Sequence, residues 1–491
     1  MFYNSLLAGI SPVIYEEKLL WNRMFFAAQV VDATFDYFQI ERITHKVGCP
    51  PWDLRNMMKL IHISSVEKIT DSNIIADNAE NHYMYNTLCG GITPKSRTIR
   101  DYQVIYAKIK QLILSFTLIV SQKLKISSFN RLTVDGTIKL SCNSPFNIIK
   151  RRDIHLLIKH YMAEKLSKKE LKKLRKSAKK FLKNKKINDE DKIEILFAWY
   201  DKLELTGQNS IPLYDVDARL MKVKDSGQKY KKWAYNIQVS TDTESKLICG
   251  INVVQYPTDH YQIPSLLDQT IENLQLTPEI IIADNIYGTL GNLFYLKEHN
   301  ISARIPTPRQ SREMLGIITH KYHIDHFEYD EKRDVIICPE KQILPRKSTS
   351  KAKVQKGGFQ KTKIQYYNKE ACKNCPFKSE CTKSDHRIIV REVHELSTES
   401  EKIMDTKQGR KDYKIRMSTA ESHNGTFARI YNYNSLQTIG LKRVQSLMFG
   451  IAAAYNTIRI FNIAQNSHWD FNELITFIRL VGLHQDEKIV D

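Results

Sequence analysis

Over residues 1–125 the apolar positions recur at helical intervals. Ile99, Tyr102, Ile105, Tyr106, Ile109, Leu112, Ile113, Phe116 and Ile119 form one stripe, and Lys108, Lys110 and Gln111 mark the other face. Gly48-Cys49-Pro50-Pro51 and Gly90-Gly91-Ile92-Thr93-Pro94 break this part into several helices. The pattern changes at Asn130, where Arg131 to Leu140 turns rich in β-branched residues and predicts a strand. Asp135-Gly136 lies inside that run. The pair reads either as a tight hairpin turn, or as a strand-borne carboxylate beside a glycine that lets another group come close.

Helical spacing returns with Leu171, Leu174, Ala178, Phe181 and Leu182, then with Ile193, Leu196, Phe197, Tyr200 and Leu203. These predict a helical hairpin that turns over 184–191. Strand patterns follow at Trp233–Ser240 and Lys246–Gln255, then a helix over Pro264–Leu274. Ile280 to Ala283 is a short continuous apolar run, which predicts a strand covered on both faces. A helix at Leu290–His299 and a strand at Ile301–Pro306 complete the alternation. Residues 307–412 show no regular pattern, and long helices close the chain at 442–461 and 471–481. The fold class is α/β: a mixed sheet with a helical insertion, preceded by an all-α part.

Asp284 ends the Ile280–Ala283 run. In open α/β sheets the groups that do chemistry sit where strands run out at their carboxyl ends. Asp also starts turns, so the stretch alone supports either role. Charge adds a direction. The 491-residue chain carries a formal net charge of +20, which favours a polyanionic partner, nucleic acid above all, with an anionic membrane surface as competitor. Lys172, Lys173, Lys176, Lys179 and Lys180 concentrate that charge on one segment; they could follow DNA phosphates, or form a solvated face. The most apolar stretches, Leu112–Val120 and Leu447–Tyr455, are shorter than the ~18 residues that suggest a spanning helix. No basic leader precedes Glu16-Glu17, which argues against a secretory signal, so a cytoplasmic protein is expected. Eight cysteines in this length do not make a disulfide scaffold. Cys338, Cys372, Cys375 and Cys381 do cluster, and a C-x-x-C pair with two further cysteines can supply a tetrahedral thiolate site for Zn²⁺.

In their order and spacing these motifs resemble a bacterial insertion-sequence transposase of the DDE type. The resemblance runs from Pro94-Lys95-Ser96-Arg97 through Val134-Asp135-Gly136-Thr137, Asp215-Val216-Asp217-Ala218-Arg219 and Tyr235-Asn236-Ile237-Gln238. It continues with Ile282-Ala283-Asp284-Asn285-Ile286-Tyr287 and Ala420-Glu421-Ser422-His423-Asn424-Gly425-Thr426. It implies a ribonuclease-H-like catalytic core in two parts. The first part spans 126–306 with a basic helical insertion at 151–212, and the second is the C-terminal helices of 413–491. A helical DNA-binding domain at 1–125 precedes them, and a basic Cys-bearing insertion at 307–412 separates them. Asp135, Asp284 and Glu421 would then be the catalytic carboxylates, holding Mg²⁺ or Mn²⁺ for DNA cleavage and strand transfer. The implied partners are double-stranded DNA, at element ends and target, and a second copy of the chain, with no membrane.

Around Glu421 the chain departs from the pattern. Asn424 stands where the family has Phe, Ala428 where it has Lys, and Arg429 lies one place late. Tyr413 and Arg416 match an upstream Tyr-x-x-Arg pair whose gap to Glu421 is one residue longer. Arg416 and Arg429 are the implied DNA contacts. Ser418-Thr419-Ala420-Glu421 also fits a capping box, with Glu421 merely starting a helix. Asp215 and Asp217 rival Asp135 for the first position and could line the same pocket. The departures keep two other functions in view: a DNA-binding derivative with impaired catalysis, and a metal-dependent nuclease of the same fold.

Overall fold

A seven-stranded mixed sheet is the platform on which the rest of the chain is arranged. The computed structural model describes residues 12–41, 52–144, 146–162, 165–222, 231–429, 435–436 and 438–483, without the side chains of 12–17, 19 and 420–435. Among the described residues six helices come first: α1 (Pro12–Tyr37), α2 (Leu54–Val66), α3 (Ser72–Asn81), α4 (Tyr83–Leu88), α5 (Ser96–Ile105) and α6 (Ala107–Lys123). Asp53 and Asp71 start α2 and α3 by accepting from the Asn56 and Asn73 backbone N–H groups. The stripe expected to form one helix from Ile99 to Ile119 is bent by 67° between α5 and α6. A periodic stripe survives such a bend because each half buries its own face. Nor is the polar side of α6 a free basic face. Lys110 and Gln111 are buried, Lys110 reaching the Gln103 carbonyl (2.9 Å) and the Ser446 hydroxyl (3.2 Å), while Lys108 pairs with Glu272.

The first strand, β1 (Arg131–Ser141), is followed by a small ribbon, β2 (Ile148–Lys150) and β3 (Ser210–Pro212). That ribbon brackets α7 (Arg151–Met162), α8 (Lys168–Lys173), α9 (Lys176–Leu182) and α10 (Asp189–Thr206). The insertion has its own core, with Ile149, Ile154, Leu157, Leu196 and Ile211 at its centre. The first arm of the expected hairpin is two short helices rather than one. Leu174 and Arg175 are extended, and Leu174 turns inward to become buried.

The sheet is completed by β4 (Arg219–Lys222), β5 (Lys231–Asp242), β6 (Ile248–Val254), α11 (Ile263–Leu274), β7 (Ile280–Ile282), α12 (Leu290–Glu298) and β8 (Ser302–Arg304). β5 runs antiparallel to both β1 and β6, whereas β7 and β8 run parallel to β1. β1 passes straight through Asp135-Gly136, with Gly136 opposite Gln238. The hairpin reading of that pair is therefore excluded.

Residues 307–412 are ordered, contrary to their irregular pattern. After α13 (Pro308–Met314) come β9 (Glu328–Asp330), β10 (Val335–Ile337), β11 (Ile343–Lys351), β12 (Thr362–Tyr366), α14 (Lys369–Lys373), α15 (Lys378–Cys381) and β13 (Ile389–Val393). The strands form a five-stranded antiparallel meander around Phe327, Ile336, Leu344, Ile364, Tyr366 and Ile389. β9 and β10 are too short to alternate, and Arg346 to Lys351 of β11 are polar and exposed. The usual strand signal is absent there for that reason.

The chain then returns to the sheet through α16 (Glu395–Asp405), α17 (Lys407–Arg429) and β14 (Ser435–Leu436), which pairs with the end of β1. It finishes with α18 (Leu441–Asn466) and α19 (Phe471–Leu483). One apolar core joins the N-terminal helices, the sheet, α18 and α19. Among the described residues α18 is long and apolar enough to cross a membrane by length and composition, which the short stretch at 447–455 did not suggest; the bent pair of α5 and α6 passes the same test. Most of α18 is buried against the sheet and the N-terminal helices. Its Gln445 and Asn456 bind the outer edge of β6, accepting from the Val253 and Ile248 N–H groups at 2.7 and 2.9 Å, which closes an edge that would otherwise be open to pairing.

The same core holds a pH-sensitive contact. His62 of α2 is buried against the Thr457 hydroxyl of α18 at 3.1 Å, and burial pushes its pKa down to about 3. The folded state therefore binds fewer protons than the unfolded chain between the ordinary His value, near 6.5, and about 3. Stability is fully present above the upper value and falls as pH drops, by about 1.4 kcal/mol per unit. Thermal unfolding of the parent protein and of His62→Gln should show a steeper loss from pH 7 to 5 in the parent. Equal slopes would remove His62 as the cause.

Candidate active site

Sheet register alone brings Asp135 and Asp284 together. Thr133 of β1 is the parallel partner of Ile282 of β7, and each aspartate lies two residues further on. Equivalent positions on adjacent strands are about 4.8 Å apart and point to one face. β7 stops at Ile282, and Asp284 opens a short 3-10 helix, Asn285–Tyr287, its Oδ1 accepting from the Ile286 N–H at 2.9 Å. The turn-former and the edge carboxylate are thus the same residue: one oxygen caps and the other faces the site.

α17 places a cation between the two acids. Its Asp412 is buried and accepts from Arg304 Nε of β8 at 3.0 Å, with Arg131 Nη1 of β1 at 3.7 Å. One turn later, Arg416 Nη2 lies 2.9 Å from Asp135 Oδ1 and 3.8 Å from Asp284 Oδ2. All three side chains are about one-fifth exposed. Burial pushes the Asp135 carboxyl above its ordinary value; Arg416 opposes that shift, and the charges of Asp284 and Asp259 add to it. For Arg416, burial acts downward but Asp135, Tyr413 and Asp284 prevail, so its charge is held firmly. Its Nε is buried without a hydrogen-bond partner.

On the other side of the sheet a polar network braces the Asp284 turn. The Tyr287 hydroxyl donates to Gln238 Oε1 (2.6 Å), and Gln238 Nε2 donates to Asp259 Oδ1 (2.7 Å), as does Asn236 Nδ2 (2.7 Å). Tyr287 is fully buried, and burial drives its hydroxyl pKa far up, so it acts as a neutral donor. Alternation along β5 explains the Tyr-Asn-Ile-Gln motif: Asn236 and Gln238 share this face, while Tyr235 and Ile237 face the core. Gly136 makes room for the network. A Cβ there would sit 2.5 Å from Gln238 Nε2, and closer still to Asp259 Oδ1. Sequence reasoning missed Asp259, which lies in an unpatterned loop. The available signal was the glycine, the second reading of Asp135-Gly136.

Glu421 and Arg429 lie on α17, and their side chains are outside the described residues. The capping-box reading of Ser418 to Glu421 fails, because α17 is continuous from Lys407. The Ser418 and Thr419 hydroxyls instead bond back to the Ile415 carbonyl, each at 3.0 Å. Asp215 and Asp217 do not share the Asp135 pocket. Asp215 accepts from the Tyr235 hydroxyl (2.7 Å), and Asp217 pairs with Lys202 and accepts from the Leu441 N–H (2.9 Å). Tyr235 pairs with Lys139, about 13 Å along β1 from Asp135. Lys172, Lys173, Lys176 and Lys180 are exposed on α8 and α9, and Lys179 is half-buried there. Cys338, Cys372, Cys375 and Cys381 line one small cavity of the five-stranded module. Among the described residues, no three His, Cys, Asp or Glu groups already stand as a metal cage.

Residues 337–461 match the family model described as "Transposase DDE domain". The match takes in the four cysteines, Arg416 and Glu421, and begins after both Asp135 and Asp284. No curated protein matches the chain. Among solved structures, a cryo-EM structure of the piggyBac transposase synaptic complex with hairpin DNA aligns over 94% of this chain and 79% of that one. Its sequence identity is 11% and its TM-score 0.29, a likeness too low to assign fold or function.

Proposed function

We propose that the chain is a DNA transposase of the DDE type, encoded by a bacterial insertion sequence, with a ribonuclease-H-like core. It would bind the terminal inverted repeats of its element and carry out metal-dependent cleavage and strand transfer, working as a homodimer on paired ends in the cytoplasm. One observation carries the reading: two carboxylates from adjacent parallel strands converge on a single cationic group, Arg416. The match of 337–461 to a transposase domain agrees with it.

The donor set fits a hard divalent cation. Both acids offer only oxygen, as Mg²⁺ and Mn²⁺ prefer, and the guanidinium already sits where positive charge is stabilised. Two such ions would supply activation of the attacking oxygen and stabilisation of the leaving one. Asp135 and Asp284 would hold them, with Glu421 as the proposed third ligand. Arg416, with a buried Nε–H that has no partner and a firmly held charge, would grip a phosphate oxygen. The Ile286 N–H and the Tyr287–Gln238–Asp259 network keep Asp284 oriented meanwhile. Arg429 and the lysines of α8 and α9 would contact the DNA backbone, a salt-sensitive contribution.

The test is incubation of the purified chain with a duplex bearing the element's terminal repeats, plus Mg²⁺ or Mn²⁺ and a target plasmid. Cleavage at the ends with joined products is expected. Cuts without joining would indicate a nuclease of the same fold. Retention of the duplex without cuts would indicate a DNA-binding derivative with impaired catalysis.

A further inference from the structure

We infer that Cys338, Cys372, Cys375 and Cys381 bind one zinc ion that ties together the base of the five-stranded module. The four thiols come from segments more than thirty residues apart in sequence, yet they line the same cavity. That cavity holds about 30 Å³, room for a single ion and far below the ~300 Å³ of a small organic ligand's pocket. All four cysteines are free thiols and half-buried.

Two further features prepare the site for negative charge. Cys338 heads a tight turn in which its N–H donates to the Gln342 carbonyl (3.0 Å), while the Gln342 N–H points at Cys338 Sγ (3.3 Å). Lys341 holds that turn in the left-handed region, at φ 60°. Arg387 also lines the cavity, with its guanidinium 5.5 Å above the Phe327 ring and its Nε buried without a partner. Four thiolates on Zn²⁺ carry two net negative charges, which would give this half-buried guanidinium a counter-charge at the cavity it lines. On binding, four S–H bonds break, four Zn–S bonds form and four protons leave to solvent. The thiols must close inward to reach the metal. Cys372 and Cys381 sit on helices of five and four residues, and Cys375 sits between them, so the movement falls on short local elements.

The module needs such a tie. Its core has six buried residues, few for an independent layer. It also touches the helix that follows Asp284. The hairpin of β11 and β12 lays Phe359 against Phe294 of α12 (5.3 Å), and Gln355 Oε1 accepts from the Leu290 N–H (3.4 Å). α12 begins soon after Asp284. The inference stands on the thiols alone, and a protein that cuts no DNA yet holds zinc leaves it intact.

Elemental analysis of the full chain from zinc-replete medium should find about one zinc per chain. Replacement by Co²⁺ should give a sulfur-to-cobalt charge-transfer band and the strong visible bands of tetrahedral cobalt. Cys375→Ser should lose zinc to a chelator at least about tenfold faster. Arg387→Met should lose it several-fold faster, with Arg387→Lys closer to the parent. If the variants fail to fold, the cobalt spectrum of the parent still decides. Zinc below about 0.2 equivalents with no cobalt–thiolate band would overturn the inference, as would a disulfide found between Cys372 and Cys375.

Discussion

Asp135→Asn should abolish the proposed metal-dependent cleavage of end-bearing DNA while the chain stays folded. The substitution keeps the side chain's size and its place on β1, opposite Val239. What it removes is one of two negative charges that meet at Arg416. Asparagine is a poor ligand for a hard divalent ion, and ion stabilisation of a phosphoryl-transfer transition state is worth several kcal/mol. At 1.36 kcal/mol per decade that corresponds to a loss of about a thousandfold or more. Burial already penalises the Asp135 charge, which offsets part of the ion pair with Arg416 that the variant loses. Mg²⁺ or Mn²⁺ should raise the melting temperature of the parent and not of the variant, since a ligand stabilises only the state that binds it. Asp217→Asn is the control. It breaks the contact with Lys202 at the far end of β5 and should leave cleavage within a few-fold of the parent. An active Asp135→Asn protein beside a dead Asp217→Asn one would reassign the site.

The pairing of Asp135 with Asp284 was legible because each rests on a local pattern. A β-branched run carries Asp135, an apolar run ends at Asp284, and parallel strands in register do the rest. Arg416 was legible only as a member of a Tyr-x-x-Arg pair, and was expected to contact DNA. That it lies between the two acids depends on α17 being pinned by Asp412 to β1 and β8, a tertiary fact with no local signature. Lys110 shows the same limit from the other side. Helical phase puts it on a polar face, yet a neighbouring helix covers that face and buries the charge, where desolvation lowers its pKa to about 7. The five-stranded module was invisible for a third reason: its strands are short and its long hairpin is polar, so hydrophobic alternation never develops. Its cysteines were the only sign of order there, and in the structure they share one cavity.

Gly136→Ala separates the network behind the sheet from the acids in front of it. Glycine here is needed for space rather than for its backbone, since Gly136 lies within a regular strand. The new methyl would overlap Gln238 Nε2 and Asp259 Oδ1. Neither neighbour yields freely: Asp259 is held by two amides, and Gln238 is fully buried with Tyr287 on its other end. Overpacking of this kind costs about 1–3 kcal/mol, a few degrees of melting temperature for a chain of this size. The catalytic consequence should be larger. Shifting Gln238 releases the Tyr287 hydroxyl, and Tyr287 ends the short helix that Asp284 caps. A displacement near 1 Å at a reacting group can cost about a hundredfold in rate. The variant should therefore bind end-bearing DNA like the parent and cleave it about a hundredfold more slowly. Asp259→Asn, which keeps the shape but weakens two charge-assisted hydrogen bonds, should fall between the two. If Gly136→Ala cleaves at the parent's rate, the network has no hold on Asp284, and Asp259 is only a loop acid.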